Sequence, residues 1–181
     1  MWGYGGLHAL RRVAAYLALK GELPPPVEYP EYTEDPVYLE FNEMHYRFVR
    51  KPLSAGFLGL FRKPMPAPPF QHLMMHSDAE GFYIPQAFDL VVADWTQPER
   101  PGLGMMIGSS PKLLEECEAL AKSLRLPSDF DPESDEFLEM IETPCPTGEP
   151  WQILAVEAHT VANLANAARA SIKLGAAIQF C

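Results

Sequence analysis

No run of about 18 apolar residues occurs in this sequence, so no membrane-spanning helix is expected. A cleaved leader is not expected either, because Arg11 and Arg12 fall inside the first apolar pattern instead of ahead of it. Cysteine is scarce. Cys117, Cys145 and Cys181 are an odd set without a C-x-x-C pair and read as reduced thiols, which makes a bacterial-type cytoplasm the default compartment. Basic charge is short as well: 14 Lys and Arg stand against 24 Asp and Glu, a formal charge of −10. Such a chain repels phosphate backbones, so nucleic acid is not expected as a partner and a basic protein is. Catalytic signatures are missing too, with no H-E-x-x-H, no phosphate-loop pattern of Gly and Lys, and no G-x-S-x-G elbow around Ser109 or Ser110.

What remains is the composition of an ordinary globular chain. It has 181 residues, 48% hydrophobic and 21% charged. That length buries roughly two-thirds of the unfolded surface and suits one domain over residues 1–181. Nineteen prolines, about twice the usual share, predict long but stiff connections.

Residues 7–20 place Leu7, Leu10, Val13, Ala14 and Leu17 on one helical face, with Gly21 where a C′ residue belongs. The Pro- and Glu-rich stretch 22–36 reads as an extended segment. Leu39 and Phe41, followed by Tyr46 and Phe48, are pairs in period-two alternation and predict one or two strands over 37–50. Phe57, Leu58, Leu60 and Phe61 form an apolar group in a loop, as a core flap or a contact surface. Residues 70–76 read as a buried strand that turns through 77–81 into Phe82-Tyr83-Ile84, a β-hairpin with Gly81 at the positive φ. A short strand over 103–108 precedes Ser109-Ser110-Pro111, a helix start with a hydroxyl cap. The helix that follows carries Leu113, Leu114, Cys117, Leu120, Ala121 and Leu124 on one side. Seven of the fourteen residues 129–142 are acidic and read as a solvated face. A last helix runs from near Pro150 to Gly175, followed by a terminal strand. The fold class is α+β, a mainly antiparallel sheet packed against N-terminal, middle and C-terminal amphipathic helices.

The string His76-Ser77-Asp78-Ala79-Glu80-Gly81-Phe82-Tyr83-Ile84-Pro85 resembles a motif of a family of small uncharacterised bacterial proteins. The resemblance extends to Gly108-Ser109-Ser110 and its helix, to the Trp151 helix with Ala170-Ser171-Ile172, and to Tyr4-Gly5-Gly6. The family pattern has cysteine after the aspartate; here Ala79 stands in that place. The resemblance implies no activity.

His72, His76, Asp78 and Glu80 share one parity, so an extended chain would send all four side chains to one face. Two imidazoles and carboxylates there could hold a divalent metal with positions open for water. The bland alternative is that His76 and Asp78 hydrogen-bond within a turn while His72 packs against a neighbour. Ser109 and Ser110 either present amides to an anion or simply cap the helix. His8 and His159 read as structural, Cys117 as inert, and Cys145 as the more accessible thiol. Charge is segregated: residues 44–75 contain Arg47, Arg50, Lys51, Arg62 and Lys63 but no acid.

Three functions remain open. The leading one is a binding protein without catalysis or cofactor, of the kind an immunity protein exemplifies, that sequesters a basic partner through its acidic surface. The second is a metal-dependent hydrolase on His72, His76, Asp78 and Glu80. The third is a small-ligand sensor with a pocket lined by Trp2, Tyr4, Phe82 and Tyr83.

Overall fold

Helix α1, Tyr4–Leu19, buries Ala9, Leu10, Val13 and Ala14, the face its sequence pattern predicts, and ends at Gly21 with φ +74°. The computed structural model describes residues 4–27, 33–50, 67–75, 81–93, 106–143 and 147–179. Among these, the elements after α1 are α2 (Pro36–Arg50), α3 (Gln71–Met75), β1 (Phe82–Ile84), β2 (Val92–Ala93), β3 (Met106–Ser109) and α4 (Ser110–Ser123). They are followed by α5 (Asp135–Glu142), α6 (Pro150–Ile153), α7 (Ala155–Leu174) and β4 (Ile178–Gln179).

The class is α+β, with amphipathic helices at the N-terminus, middle and C-terminus as expected, but the sheet is small and mixed rather than mainly antiparallel. Its order is β2-β3-β1-β4. The central pair β1–β3 is parallel, with Tyr83 opposite Gly108, and β2 and β4 add antiparallel to the two edges. Gly108 is required there: a Cβ would overlap the Tyr83 ring.

Two expected strands are helices. In α2 the buried residues are Tyr38, Phe41 and His45, three and four apart, so the stripe that packs has helical period; the apparent alternation through Leu39 fails because Leu39 is half exposed. The stretch 71–75 is buried at all five positions, and a short wholly apolar environment carries no period that separates strand from helix. The expected hairpin over 70–84 is therefore replaced by a helix followed by β1, whose partners come from β3 and β4. Gly81 does take a positive φ, +101°.

Helix α4 starts as expected: the Ser109 hydroxyl accepts the Lys112 N–H at 3.3 Å. The long final helix is broken at Leu154 into α6 and α7, and Gly175 ends α7 at φ +64°. α4 and α7 pack most extensively, with α1 across α7 at Gly6, where a Cβ would overlap the Thr160 hydroxyl. Leu10, Val13, Phe41, Leu73, Leu113, Leu120, Leu124 and Val161 fill the main core. A second cluster of Phe137, Ile141, Ala155 and Ala158 seats α5 on α7, with the rings of Phe130, Phe137 and Trp151 in mutual contact.

Two arginines on α1 are buried, which its helical wheel does not suggest. Arg12 donates from Nε to Asp35 at 2.7 Å and from Nη1 to the Pro25 carbonyl at 2.8 Å, so it ties down the proline-rich connection. Arg11 donates to the Leu73 carbonyl at 2.7 Å and closes the C-terminal end of α3. No described helix is long and apolar enough to cross a membrane.

Candidate functional site

Of the four expected metal-ligating residues, the structure describes His72. Its side chain is 1% exposed at the junction of α3, β3 and the loop after β1. Nδ1 accepts the Ser109 N–H at 3.0 Å, which fixes the proton on Nε2, and Nε2 donates to the Phe88 carbonyl at 3.1 Å. Burial lowers its pKa, only partly offset by the carbonyls of Asp89 and Phe88, so the ring is neutral at pH 7. Both nitrogens are committed, and no lone pair faces outward. His76, Asp78 and Glu80 lie outside the described residues, as do Trp2, Cys145 and the apolar group Phe57 to Phe61. Among the described residues no group of three or more His, Cys, Asp or Glu could hold a metal ion.

The residue that organises this junction is one the sequence did not single out. Glu116 on α4 accepts the amides of His72 at 3.0 Å and Leu73 at 2.7 Å, supplying side-chain acceptors to the first turn of α3 from another helix. Burial raises its pKa to about 7, against the opposing pull of those two amides. Tyr83, expected as a binding residue, is 3% exposed and donates its hydroxyl to the His72 carbonyl at 2.6 Å. Tyr4 opens α1, and its side chain lies outside what is described. Phe82 is half-buried in β1. Ser109 donates to the Gln86 carbonyl at 2.7 Å, and Ser110 shares a 2.7 Å hydrogen bond with Ser171, which in turn donates to the Ala176 carbonyl at 2.6 Å. Both serines are fully buried, so they act as cap and tie. Cys117 is buried, which pushes its thiol pKa far up. His8 bonds the Tyr38 hydroxyl at 3.1 Å. His159 stacks on Phe137 with centroids 6.1 Å apart, and burial lowers its pKa against the opposing Glu133 carboxylate 3.8 Å away.

The other chemically distinctive region is the outer face built by residues 129–143 and 147–149. Asp129, Asp131, Glu133, Asp135, Glu136, Glu139, Glu142 and Glu149 are all exposed. No Lys or Arg occurs between Leu126 and Ala168 in the sequence. Local chemistry explains the shape. Asp131 accepts the Glu133 N–H at 3.0 Å to make a turn, and Ser134 caps α5 by accepting the Phe137 N–H at 3.4 Å. Phe137 and Ile141, four apart, then turn inward and leave the carboxylates outside. Arg125 pairs with Glu149 at 3.3 Å at one edge. The sequence reading of this stretch as a solvated face is right about its exposure but missed that a helix seated by aromatic rings carries it.

A carboxylate-lined helix displayed on an α+β body defines the class of this molecule by its surface. The sequence matches the family described as "Putative DNA-mimic protein" over residues 1–180, and the chain belongs to that family. No curated protein and no solved structure matches it.

Proposed function

We propose that this protein is a non-catalytic binder that offers its carboxylate face, in place of DNA phosphates, to a basic DNA-binding protein. The observation that carries the reading is the set of exposed carboxylates Asp129, Asp131, Glu133, Asp135, Glu136, Glu139 and Glu142, with no Lys or Arg among residues 129–142 and with the last four on a helix fixed by its own apolar seat. Glu136, Glu139 and Glu142 follow one another at about 4.5 Å along the axis of α5. The spacing is comparable to the charge spacing of B-DNA, one phosphate per roughly 3.4 Å of rise on each strand.

Helix electrostatics add support. Asp135 and Glu136 sit in the first turn, where the macrodipole favours anions, but Glu139 and Glu142 lie toward the C-terminal end, where it opposes them. Solubility does not require acids at that end. Local preference overridden in this way is the pattern expected of a surface kept for recognition. Sequestration of a basic toxin is one form of the same reading. The family match supports a binding role, and the engaged nitrogens of His72 give the metal-hydrolase reading no support.

The test is competition. Proteins retained from the native host by this chain, and released by salt, are assayed for binding to a labelled duplex oligonucleotide. The reading expects the protein to displace the duplex from its captured partner. It also expects the combined substitutions Asp135→Asn, Glu136→Gln, Glu139→Gln and Glu142→Gln to abolish displacement. Captured partners with no affinity for duplex DNA, or equal displacement by the neutralised variant, would sink it.

A further inference from the structure

His45 carries a contradiction in its proton count. The residue is completely buried on α2, with Nδ1 2.9 Å from the Phe41 carbonyl oxygen and Nε2 2.9 Å from the Pro69 carbonyl oxygen. Both neighbours are acceptors. A neutral imidazole has one N–H and one lone pair, so it can donate to only one of them and must turn a lone pair toward the other. Only the imidazolium form satisfies both contacts.

The two carbonyls differ in what they lose. Phe41 lies four residues back in the same helix, so its oxygen already has the helical partner that the His45 amide provides. Pro69 belongs to the strap 67–70 that leads into α3, and the next residue, Phe70, holds a left-handed φ of +60°, a costly conformation for a side chain of that size. The Phe70 carbonyl then accepts the Met74 N–H at 2.9 Å inside α3. A strained residue thus stands between the proton-dependent contact and the helix.

We propose that His45 is a proton-dependent latch, whose imidazolium form closes the strap 67–70 onto α2 and whose neutral form releases the Pro69 carbonyl. Burial of the ring lowers its pKa, the two carbonyl contacts raise it, and the charge of Arg11 on α1 lowers it, with the net direction downward. The latch therefore closes as pH falls below the ordinary histidine range. Arg11 is the charged group that acts on the ring from α1, and the Phe41 ring meets it edge-on at 4.5 Å from α2. On the α3 side the titratable groups are His72, whose nitrogens are turned to Ser109 and Phe88, and Glu116, which holds the amides of the first turn.

The experiment is an NMR titration of the whole protein labelled with nitrogen-15 in its histidine rings, from pH 8 down to 5, with amide protection factors measured at Met74. The expected result is two protonated His45 nitrogens at the acid end, one at the alkaline end, and a Met74 protection factor about threefold or more higher in acid. Glu116→Gln removes the other titrating support of α3 and should leave that response in place. Adding His45→Gln to Glu116→Gln, which keeps a donor at position 45 but leaves neither group a proton to gain, should abolish it. A His45 ring that stays singly protonated down to pH 5, a Met74 protection factor independent of pH in Glu116→Gln, or a response that survives in the Glu116→Gln, His45→Gln double variant would each overturn the proposal.

Discussion

Arg12 and Asp35 form an ion pair at 2.7 Å in which the arginine side chain is 1% exposed and the aspartate 10%. The aspartate is also the anchor of α2, since its other oxygen accepts the amides of Val37 at 2.8 Å and Tyr38 at 3.3 Å. Burial raises the Asp35 pKa, but the Arg12 hydrogen bond, the two amides and the Arg12 charge outweigh it and hold the carboxyl below its usual value. One pair therefore joins α1, the proline-rich connection and the start of α2.

Removing Arg12 leaves a buried carboxylate without its cation, a change that costs about 3–5 kcal/mol. Arg12→Ala should lower the urea midpoint by that equivalent, and Arg12→Lys should recover only part of it, because lysine lacks the fork that reaches both Asp35 and the Pro25 carbonyl. The contribution of Asp35 is present above its unfolded pKa and is lost as pH falls through its lower folded value. Asp35→Asn should accordingly flatten the acid limb of the stability curve. An Arg12→Ala protein as stable as the parent would show that the pair is incidental.

Glu116 works in the opposite direction. Its folded pKa, about 7, lies above the unfolded 4.5, so the folded state binds the proton more tightly. The associated stability is complete below the unfolded value and is lost as pH rises through about 7. With allowance for the partial exposure of the residue, the loss between pH 5 and pH 8 is on the order of 2–3 kcal/mol. Glu116→Gln keeps one acceptor for the amides of His72 and Leu73 and has no proton to lose. Chemical denaturation at the two pH values should show the parent weaker at pH 8 by that margin relative to Glu116→Gln; parallel curves for the two proteins would disprove the assignment.

How much of this could be read from residues alone depended on whether the signal was local. α1, the Ser109 cap and the Gly175 stop were legible because apolar period and capping chemistry coincide within one turn. α2 was hidden because one of its core positions is a histidine: with His45 read as polar, the residues left visible include the pairs Leu39/Phe41 and Tyr46/Phe48, each two apart. α3 was hidden because its acceptor comes from Glu116, 44 residues away, and no sequence window contains both. The acidic face was legible as composition, yet its seat was not, since Trp151 and Phe130 reach it from different segments.

Tyr83 and Gly108 give a packing test. A methyl group at Gly108 would overlap the ring, and overpacking of this kind costs about 1–3 kcal/mol. Gly108→Ala should lose that amount in thermal or urea unfolding. Tyr83→Leu alone loses the hydroxyl bond to His72 and leaves space, so the double variant should be more stable than the sum of the two single losses implies. Strict additivity would mean that the two residues do not meet as the parallel register places them.

Glu139 and Glu142 separate stability from recognition, because the same substitution should move the two in opposite directions. Both are exposed on the last turns of α5, where no basic residue offsets the negative end of the helix. Changing either to lysine puts a cation where the macrodipole favours one, a gain of about 0.3–1 kcal/mol that thermal unfolding can register. The same change subtracts two charge units from the face proposed to stand in for phosphates, so displacement of duplex DNA from a captured basic partner should weaken. Salt supplies an independent check. DNA releases a condensed counterion atmosphere when it is bound, with log K falling by about 0.9 per phosphate neutralised for each unit of log salt. Discrete carboxylates on a folded protein lack that atmosphere, so the partner should show a shallower salt slope with this protein than with DNA. A lysine variant that is more stable and displaces duplex as well as the parent would place recognition elsewhere on the molecule.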